Sequence, residues 1–422
     1  MMNLAEYRNS ATRLADFLPW AALVASGIVL NKDGSFQRTA RFRGPDLDSA
    51  VPAELVGVAG RLNNVLRRLG SGWALFVEAQ RLPASIYPEG RFPDAASALV
   101  DAERKAAFEE EGAHYESTYY LTFLYLPPAW ESAGAERFLY EGRHRAAGAD
   151  AREILAGFID RTDRVLHLLD GFMPECRWLD DAETLTYLHS CVSTRRQRVR
   201  VPEVPMYLDG LLADQPLTGG LEPKLGDGHL RVLAIVGFPG TTTPGLLDEL
   251  NRLAFAYRWS TRAIMLDKTD ATRLLTRIRR QWFAKRKSIA AILREVMTNE
   301  ASTLVDTDAH NKAIDADAAL QELGSDAVGA AYCTVTVTVW DEDPRVADER
   351  LRLRLRITGL VHHGLALVVE HRLVPLDGLA LGVDERELGH RRHRVLRVKC
   401  VAVHVRDRPL GDRGVLARDL LG

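Results

Sequence analysis

The chain has 422 residues and a formal net charge of −2, with 46% of its residues apolar and 27% charged. That is the balance of a soluble globular protein with room for two or three domains, and the near-zero charge gives no global reason to select nucleic acid or anionic membrane as a partner. Its four cysteines form no C-x-x-C pair, which excludes a zinc ribbon, a redox dithiol and a disulfide scaffold and fits a reducing compartment.

The N-terminal stretch from Met1 to Asp16 is polar, with none of the apolar core of a signal peptide. Phe17 to Leu30 is apolar but broken by Pro19 and Gly27, and it falls short of the roughly 20 residues a spanning helix needs. It reads as a buried entry segment and strand. A β-hairpin follows, with Gly27–Leu30 and Phe36–Phe42 flanking Asn31-Lys32-Asp33-Gly34, since Asp-Gly is a strong short-range turn signal. Leu55, Val58, Leu62, Val65, Leu66 and Leu69 recur at helical spacing between Pro52 and Leu69, and Gly70-Ser71-Gly72 stops that helix. Trp73 to Glu78 reads as a buried strand, Asp101 to Glu111 as an acidic helix, and Tyr119 to Leu126 as an aromatic strand closed by Pro127-Pro128.

Two further helices are expected at Ile154–Leu169 and Ala182–Val192, the second opened by the capping signal Asp180-Asp181. From Ser193 to Asp227 the chain is rich in Pro and Gly with little periodicity, and a domain junction is placed there. Beyond it come a strand (Leu230–Val236), a helix (Gly245–Phe255), a strand (Tyr257–Leu266), a long helical stretch (Asp270–Met297), a helix (Lys312–Leu323) and a strand (Ala330–Trp340). The predicted fold class is α+β (mixed α/β), with sheet-and-helix layers in two N-terminal subdomains, 1–210 and 211–350, and no repeat of fixed period.

Residues 351–422 differ in kind. They contain no Ser, Asn, Gln, Met, Phe, Tyr or Trp, while six of the twelve histidines fall among them. A packed domain of that length normally fills its core with aromatics. The vocabulary matches GC-rich codons read out of frame, so the tail is expected to be an aberrant, disordered frameshift product joined near Glu349 to Arg356; the alternative is a genuine basic-hydrophobic extension.

No complete catalytic constellation is visible. Gly237-Phe238-Pro239-Gly240-Thr241-Thr242-Thr243-Pro244-Gly245 lies between a strand and a helix, as a phosphate loop would, but it lacks the Lys-Ser/Thr pair, and its prolines remove backbone donors. A strand-to-helix turn explains it better. His189 and Cys191, two apart on a helix, point in different directions and cannot share a metal, so a satisfied histidine is expected. Asp306, Asp308, His310, Asp315 and Asp317 lack the glycine and terminal glutamate of a calcium loop, and helix capping by Asp306 or Asp308 is the simpler reading. No G-x-S-x-G or H-E-x-x-H occurs. The chain is thus expected to have no catalytic, cofactor-binding or metal residues.

The strongest local charge feature is Arg279-Arg280-Gln281-Trp282-Phe283-Ala284-Lys285-Arg286-Lys287. Cations interleaved with aromatics suit nucleic-acid backbone and base stacking. Leu275, Ile278, Trp282, Ile289, Leu293 and Val296 also make an apolar stripe at helical spacing, which turns the aromatics inward and leaves the cations as a solvated edge or protein contact. Both readings make Arg279, Arg280, Lys285, Arg286 and Lys287 the candidate contact residues.

Several long strings occur in an order similar to that of the CagE/TrbE/VirB family of type IV secretion ATPases, over about residues 1–350. They are Leu18-Pro19-Trp20-Ala21, Val29 to Thr39, Arg61-Leu62-Asn63-Asn64, Thr184 to His189, Val201 to Pro205, Phe255 to Arg262, Arg280 to Lys287 and Ala318 to Gly324. The resemblance, to the N-terminal region of TrbE-type members, implies a cytoplasmic protein peripheral to the bacterial inner membrane that energises pilus assembly and DNA transfer. It implies self-association and contact with other secretion subunits, with DNA or an anionic membrane surface as a further partner. ATP and Mg²⁺ are cofactors of intact members, held by Walker motifs in a C-terminal RecA-like motor. No position here matches either motif, so the chain is expected to be truncated before the motor and inactive alone. The rival readings are a nucleic-acid- or membrane-surface-binding module, a remnant of a disrupted ATPase gene, and an incomplete ATPase that binds nucleotide between subunits.

Overall fold

The Asp33-Gly34 turn closes as its chemistry demands in the computed structural model of the chain. Gly34 takes a φ of 83°, a left-handed conformation that suits glycine. The Asn31 N–H donates to the Ser35 carbonyl at 2.8 Å, and the Ser35 N–H donates to Asp33 Oδ1 at 2.9 Å. Strands β2 (Ile28–Asn31) and β3 (Phe36–Arg43) pair antiparallel across this turn. The structure describes residues 13–46, 49–84, 87–109, 114–128, 151–235, 248–285, 307–357, 367–369, 396–397 and 400–403.

The remaining principal strands are β1 (Trp20–Ala25), β4 (Trp73–Pro83), β5 (Tyr115–Tyr125) and β6 (Glu175–Trp178), with β7 (Leu217–Thr218) and β8 (Lys224–Leu225) as short pairs. After them come β9 (Gly228–Ile235), β10 (Tyr257–Leu266) and β11 (Gly329–Asp341). They form one sheet in the order β1-β2-β3-β5-β4-β10-β11-β9-β8-β7, with β6 beside the far half of β3. Every pairing along that path is antiparallel, so the fold is α+β with an antiparallel sheet. Helix α1 (Leu14–Phe17) precedes β1, and α2 (Pro52–Leu66) carries the chain from β3 to β4. α3 (Ala95–Glu109) lies between β4 and β5, followed by α4 (Ala151–Asp170), α5 (Asp181–Val192) and the short α6 (Leu208–Leu212).

The sheet has an internal symmetry of order. In β3, β4 and β5 the third strand sits between the first two, and the same holds for β9, β10 and β11. The two triplets meet second strand to second strand, Tyr257 opposite Arg81 through Ile264 opposite Ala74. The residue 210 boundary therefore falls in a connection between strands of one continuous sheet.

Alternation along the strands assigns the two faces. On one face Leu30, Phe36, Trp73, Leu75 and Phe123 pack beneath α2 (Val65) and α4 (Ile154, Phe158, Val165, Leu169). On the other, Val29 and Leu179 pack with Leu185 and Leu188 of α5 and Leu208 and Leu212 of α6. In the second triplet, Leu233, Tyr257, Val337 and Val339 pack with Leu250, Leu253 and Phe255. The helical hairpin of α7 (Lys268–Lys285) and α8 (Thr307–Gly324) is held by Ala271, Leu275, Ala319 and Leu323.

Several expectations change in detail. The apolar Phe17–Leu30 stretch splits into two strands, because Gly27 turns the chain with a φ of 66°. The helix expected at Gly245–Phe255 is a 3₁₀ turn at Asp248–Arg252, and 236–247 lie outside the described residues. The long helix is described to Lys285, with 286–306 outside. Helix α9 (Pro344–Ile357) runs through the proposed frame junction; it buries Leu351 against Val339 and its neighbours, and Arg350 donates to the Trp340 carbonyl at 2.7 Å. Most of the tail from 358 onward lies outside the described residues. Among the described residues no helix is long and apolar enough to cross a membrane.

Candidate functional site

On the sheet face beneath α5, Glu78 and Gln80 of β4 lie opposite Ser260 and Arg258 of β10, and the sheet cannot bury these polar groups without partners. Glu78 and Arg258 form an ion pair at 2.7 Å with only 11% and 14% of their side chains exposed. Around it, Tyr187 Oη donates to Glu78 Oε2 at 3.1 Å, and Arg258 Nη1 donates to the Ser190 carbonyl at 2.7 Å. Gln80 Nε2 reaches Ser190 Oγ at 2.8 Å. Arg258 Nη2 also lies 2.8 Å from Cys191 Sγ. Burial pushes the Cys191 thiol up to about 12, with Glu78 adding to the rise and Arg258 opposing it. Burial likewise raises Tyr187 well above the ordinary phenol range. At neutral pH neither group supplies a nucleophile or a base. The network acts as a clamp that fixes the C-terminal half of α5 on the β4–β10 seam.

The N-terminal half of α5 is fixed separately. Asp180 caps it by accepting from the Glu183 N–H at 2.8 Å, while Glu183 accepts from the Asp180 N–H at 3.1 Å, a reciprocal capping box. Both Glu183 oxygens also take Arg177 Nη atoms at 2.8 Å. This bond to Arg177 holds the Glu183 carboxyl down at about 2. The Asp180 capping signal is borne out. His189 is also satisfied as expected, buried and 3.0 Å from Asp214 Oδ2.

Between α5, the sheet and the extended segment 195–199 lies a cavity of about 580 Å³. Arg41, Gln80 and Tyr120 contribute its sheet floor, and Arg195, Arg196 and Arg198 line the opposite side. These three arginines sit in the stretch Ser193–Asp227, where the sequence has no periodicity to draw attention to them. The one available signal is the density of arginine in Arg195-Arg196-Gln197-Arg198-Val199-Arg200.

The predicted contact residues lie elsewhere, at the end of the α7/α8 hairpin. Arg279 is committed to Asp317 of α8 at 2.8 Å, while Arg280 is exposed. Lys285 is the last residue of α7, and Arg286 and Lys287 lie outside the described residues. Trp282 is half-buried with Lys312 Nζ 4.3 Å above its ring, but Phe283 is 58% exposed rather than turned inward. The contacts of α7 with α8 run through Ala271, Leu275, Arg279 and Trp282, and Phe283 lies about 100° around the helix from Trp282. The Gly237–Gly245 loop and Asp306 also lie outside the described residues.

Comparison with known proteins finds relatives along most of the chain. Residues 27–133 match the family model "Type IV secretion system ATPase VirB4/TrbE, N-terminal domain". The conjugal transfer protein TrbE of Rhizobium radiobacter is 32% identical over 366 residues, 83% of this chain and 44% of that protein. The chain thus spans less than half of that relative's length. In Sinorhizobium fredii a probable conjugal transfer protein TrbE is divided between two polypeptides, and both are similar to this chain. The first of them is 40% identical over 146 residues, 34% of this chain and 98% of that polypeptide. The second is 32% identical over 168 residues, 40% of this chain and 25% of its own length.

Proposed function

The chain belongs to the VirB4/TrbE family of type IV secretion ATPases, and on that premise we propose that it is an assembly and docking region of a conjugative secretion ATPase. The supporting observation is the similarity to the first TrbE polypeptide of Sinorhizobium fredii, which runs over 98% of that protein, together with the fold that contains the family segment. That segment includes β2 to β5, and β4 joins it edge to edge with β10. A docking region needs a rigid frame that presents surface, and the continuous sheet provides one. On this reading the partners are other secretion subunits and further copies of the ATPase. The site of action is the cytoplasmic side of the inner membrane, peripheral to the bilayer.

ATP and Mg²⁺ on this reading serve the motor of intact relatives, because no stretch of this sequence has the G-x-x-x-x-G-K-[ST] pattern that cradles phosphates. The purified chain should release no phosphate from Mg-ATP. A second reading, contact with DNA or an anionic membrane surface, would draw on the exposed Arg280 and Phe283 of α7.

Fractionation of donor cells tests the docking reading. The chain should sediment with membranes when the other secretion subunits are expressed and stay in the soluble fraction when they are deleted. Sedimentation independent of those subunits would overturn it. Binding to DNA or anionic vesicles that falls with rising salt would instead support the second reading.

A further inference from the structure

The cavity beside α5 holds positive charge that the fold leaves unneutralised. Four arginines and two carboxylates line it, and both carboxylates are already engaged. Glu183 is held by both Nη atoms of Arg177, and Asp180 caps α5. Of the cations, Arg41 pairs with Glu175 at 3.3 Å. Arg195, Arg196 and Arg198 meet no carboxylate among the described residues, and Arg196 Nη1 finds only the Pro83 carbonyl, at 3.2 Å. Arg195, Arg196 and Arg198 are exposed where they line the cavity, and partial burial lowers the Arg196 pKa, a shift that an arriving anion would offset.

The rest of the lining fits an attached body rather than a bare ion. Leu82 and Tyr120 on the floor and Val199 opposite give it apolar surface. About 580 Å³ lies within the range of small-ligand sites and is far more than one carboxylate would fill. We propose that this cavity binds a phosphate-bearing group, with Arg195, Arg196 and Arg198 as its anchors. A phosphate carries three acceptor oxygens, and guanidinium forks match their geometry. The group can arrive on a free small molecule or as a phospholipid headgroup. This site is separate from the docking role, and either can fail without the other.

The test uses the purified full chain and two probes, inorganic pyrophosphate by titration calorimetry and phosphatidylglycerol vesicles by co-sedimentation against phosphatidylcholine. The paired variant R195Q/R198Q removes two charges at the cavity, and R161Q/R164Q removes the same charge from the exposed side of α4, on the opposite face of the sheet. Saturable pyrophosphate binding that weakens by about tenfold or more in the first pair alone, the loss expected for charge-assisted bonds, supports a free-ligand site. Vesicle binding with that same dependence and no pyrophosphate binding supports a headgroup site. R195K/R198K keeps the charge and should keep some of the affinity, which separates lost binding from a lost fold. Absence of binding to both probes, or equal weakening by the two neutralised pairs, would overturn the proposal.

Discussion

Glu78 and Arg258 show why a buried charge in this sheet is tolerated. Each is nearly enclosed, and each is paired and further hydrogen-bonded, through Tyr187 and the Ser190 carbonyl. Removing one partner strands the other, which typically costs about 3–5 kcal/mol, whereas replacing both with apolar groups is often near neutral. Glu78→Ala should therefore lower unfolding free energy by about 3 kcal/mol in urea titrations, and Glu78→Leu/Arg258→Met should recover most of that loss. A single-variant cost below about 1 kcal/mol would mean that water reaches the pair. Glu183 offers a pH counterpart. Its carboxyl titrates at about 2 in the fold, from an ordinary value of 4.5. A depressed carboxyl contributes stability above its unfolded pKa and loses it as pH falls through the folded value. The stability gap between the wild type and Glu183→Gln should thus be constant near neutrality and close between pH 4.5 and 2. Because 38% of the side chain is exposed, solvent screening holds that gap to about 1 kcal/mol. A gap unchanged across the window would assign the carboxylate no role in the cap.

At the scale of elements, legibility follows periodicity. The pattern of Tyr257–Leu266 gives the bounds the structure shows, and α5 begins one residue before its expected start because Asp180 announces the cap. β6 escapes a reading of the sequence, since Glu175–Trp178 is too short to show alternation and, among the described residues, pairs with the free half of β3 alone. The cavity escapes it for a related reason. Arg195 to Val199 is extended but unpaired, tied down by contacts such as Val199 N–H to Thr186 Oγ1 at 3.0 Å, and a run of that kind has no period to detect. The candidate contact residues from Arg279 to Lys287 stand out in the sequence as a charge run, but the run cannot rank them. The hairpin does: Arg279 is held by Asp317, while Arg280 projects from the exposed side. In the membrane-fractionation or salt-titration experiments, Arg280→Gln should weaken association more than Arg279→Gln, which should mainly loosen α7 from α8. The reverse ranking would place the contact on the α8 side of the hairpin.

For the whole molecule, the decisive feature is the β4–β10 seam. Local patterns predict strands and helices on either side of residue 210, but nothing local states that the second strand of one triplet pairs with the second strand of the other. The pairing is antiparallel from Arg81 with Tyr257 to Ala74 with Ile264, and it is pinned by side chains from both sides. Glu78 reaches Arg258, Arg81 Nε donates to the Leu253 carbonyl at 2.6 Å, and Met265 enters the core under α4. Separating the two triplets would expose two sheet edges and strand the charges of that seam, which favours reassociation of the pieces over independent folding. The exposed glycines Gly219 and Gly220, with open space around both, provide a place to cut without touching the seam. Co-expressed fragments 1–219 and 220–422 should therefore copurify through a tag on either one and unfold together in a single transition. Arg258→Glu in the second fragment, which sets two carboxylates against each other at Glu78, should abolish the copurification. Fragments that are each soluble and monomeric, with separate melting transitions, would show that the seam joins two bodies able to stand alone.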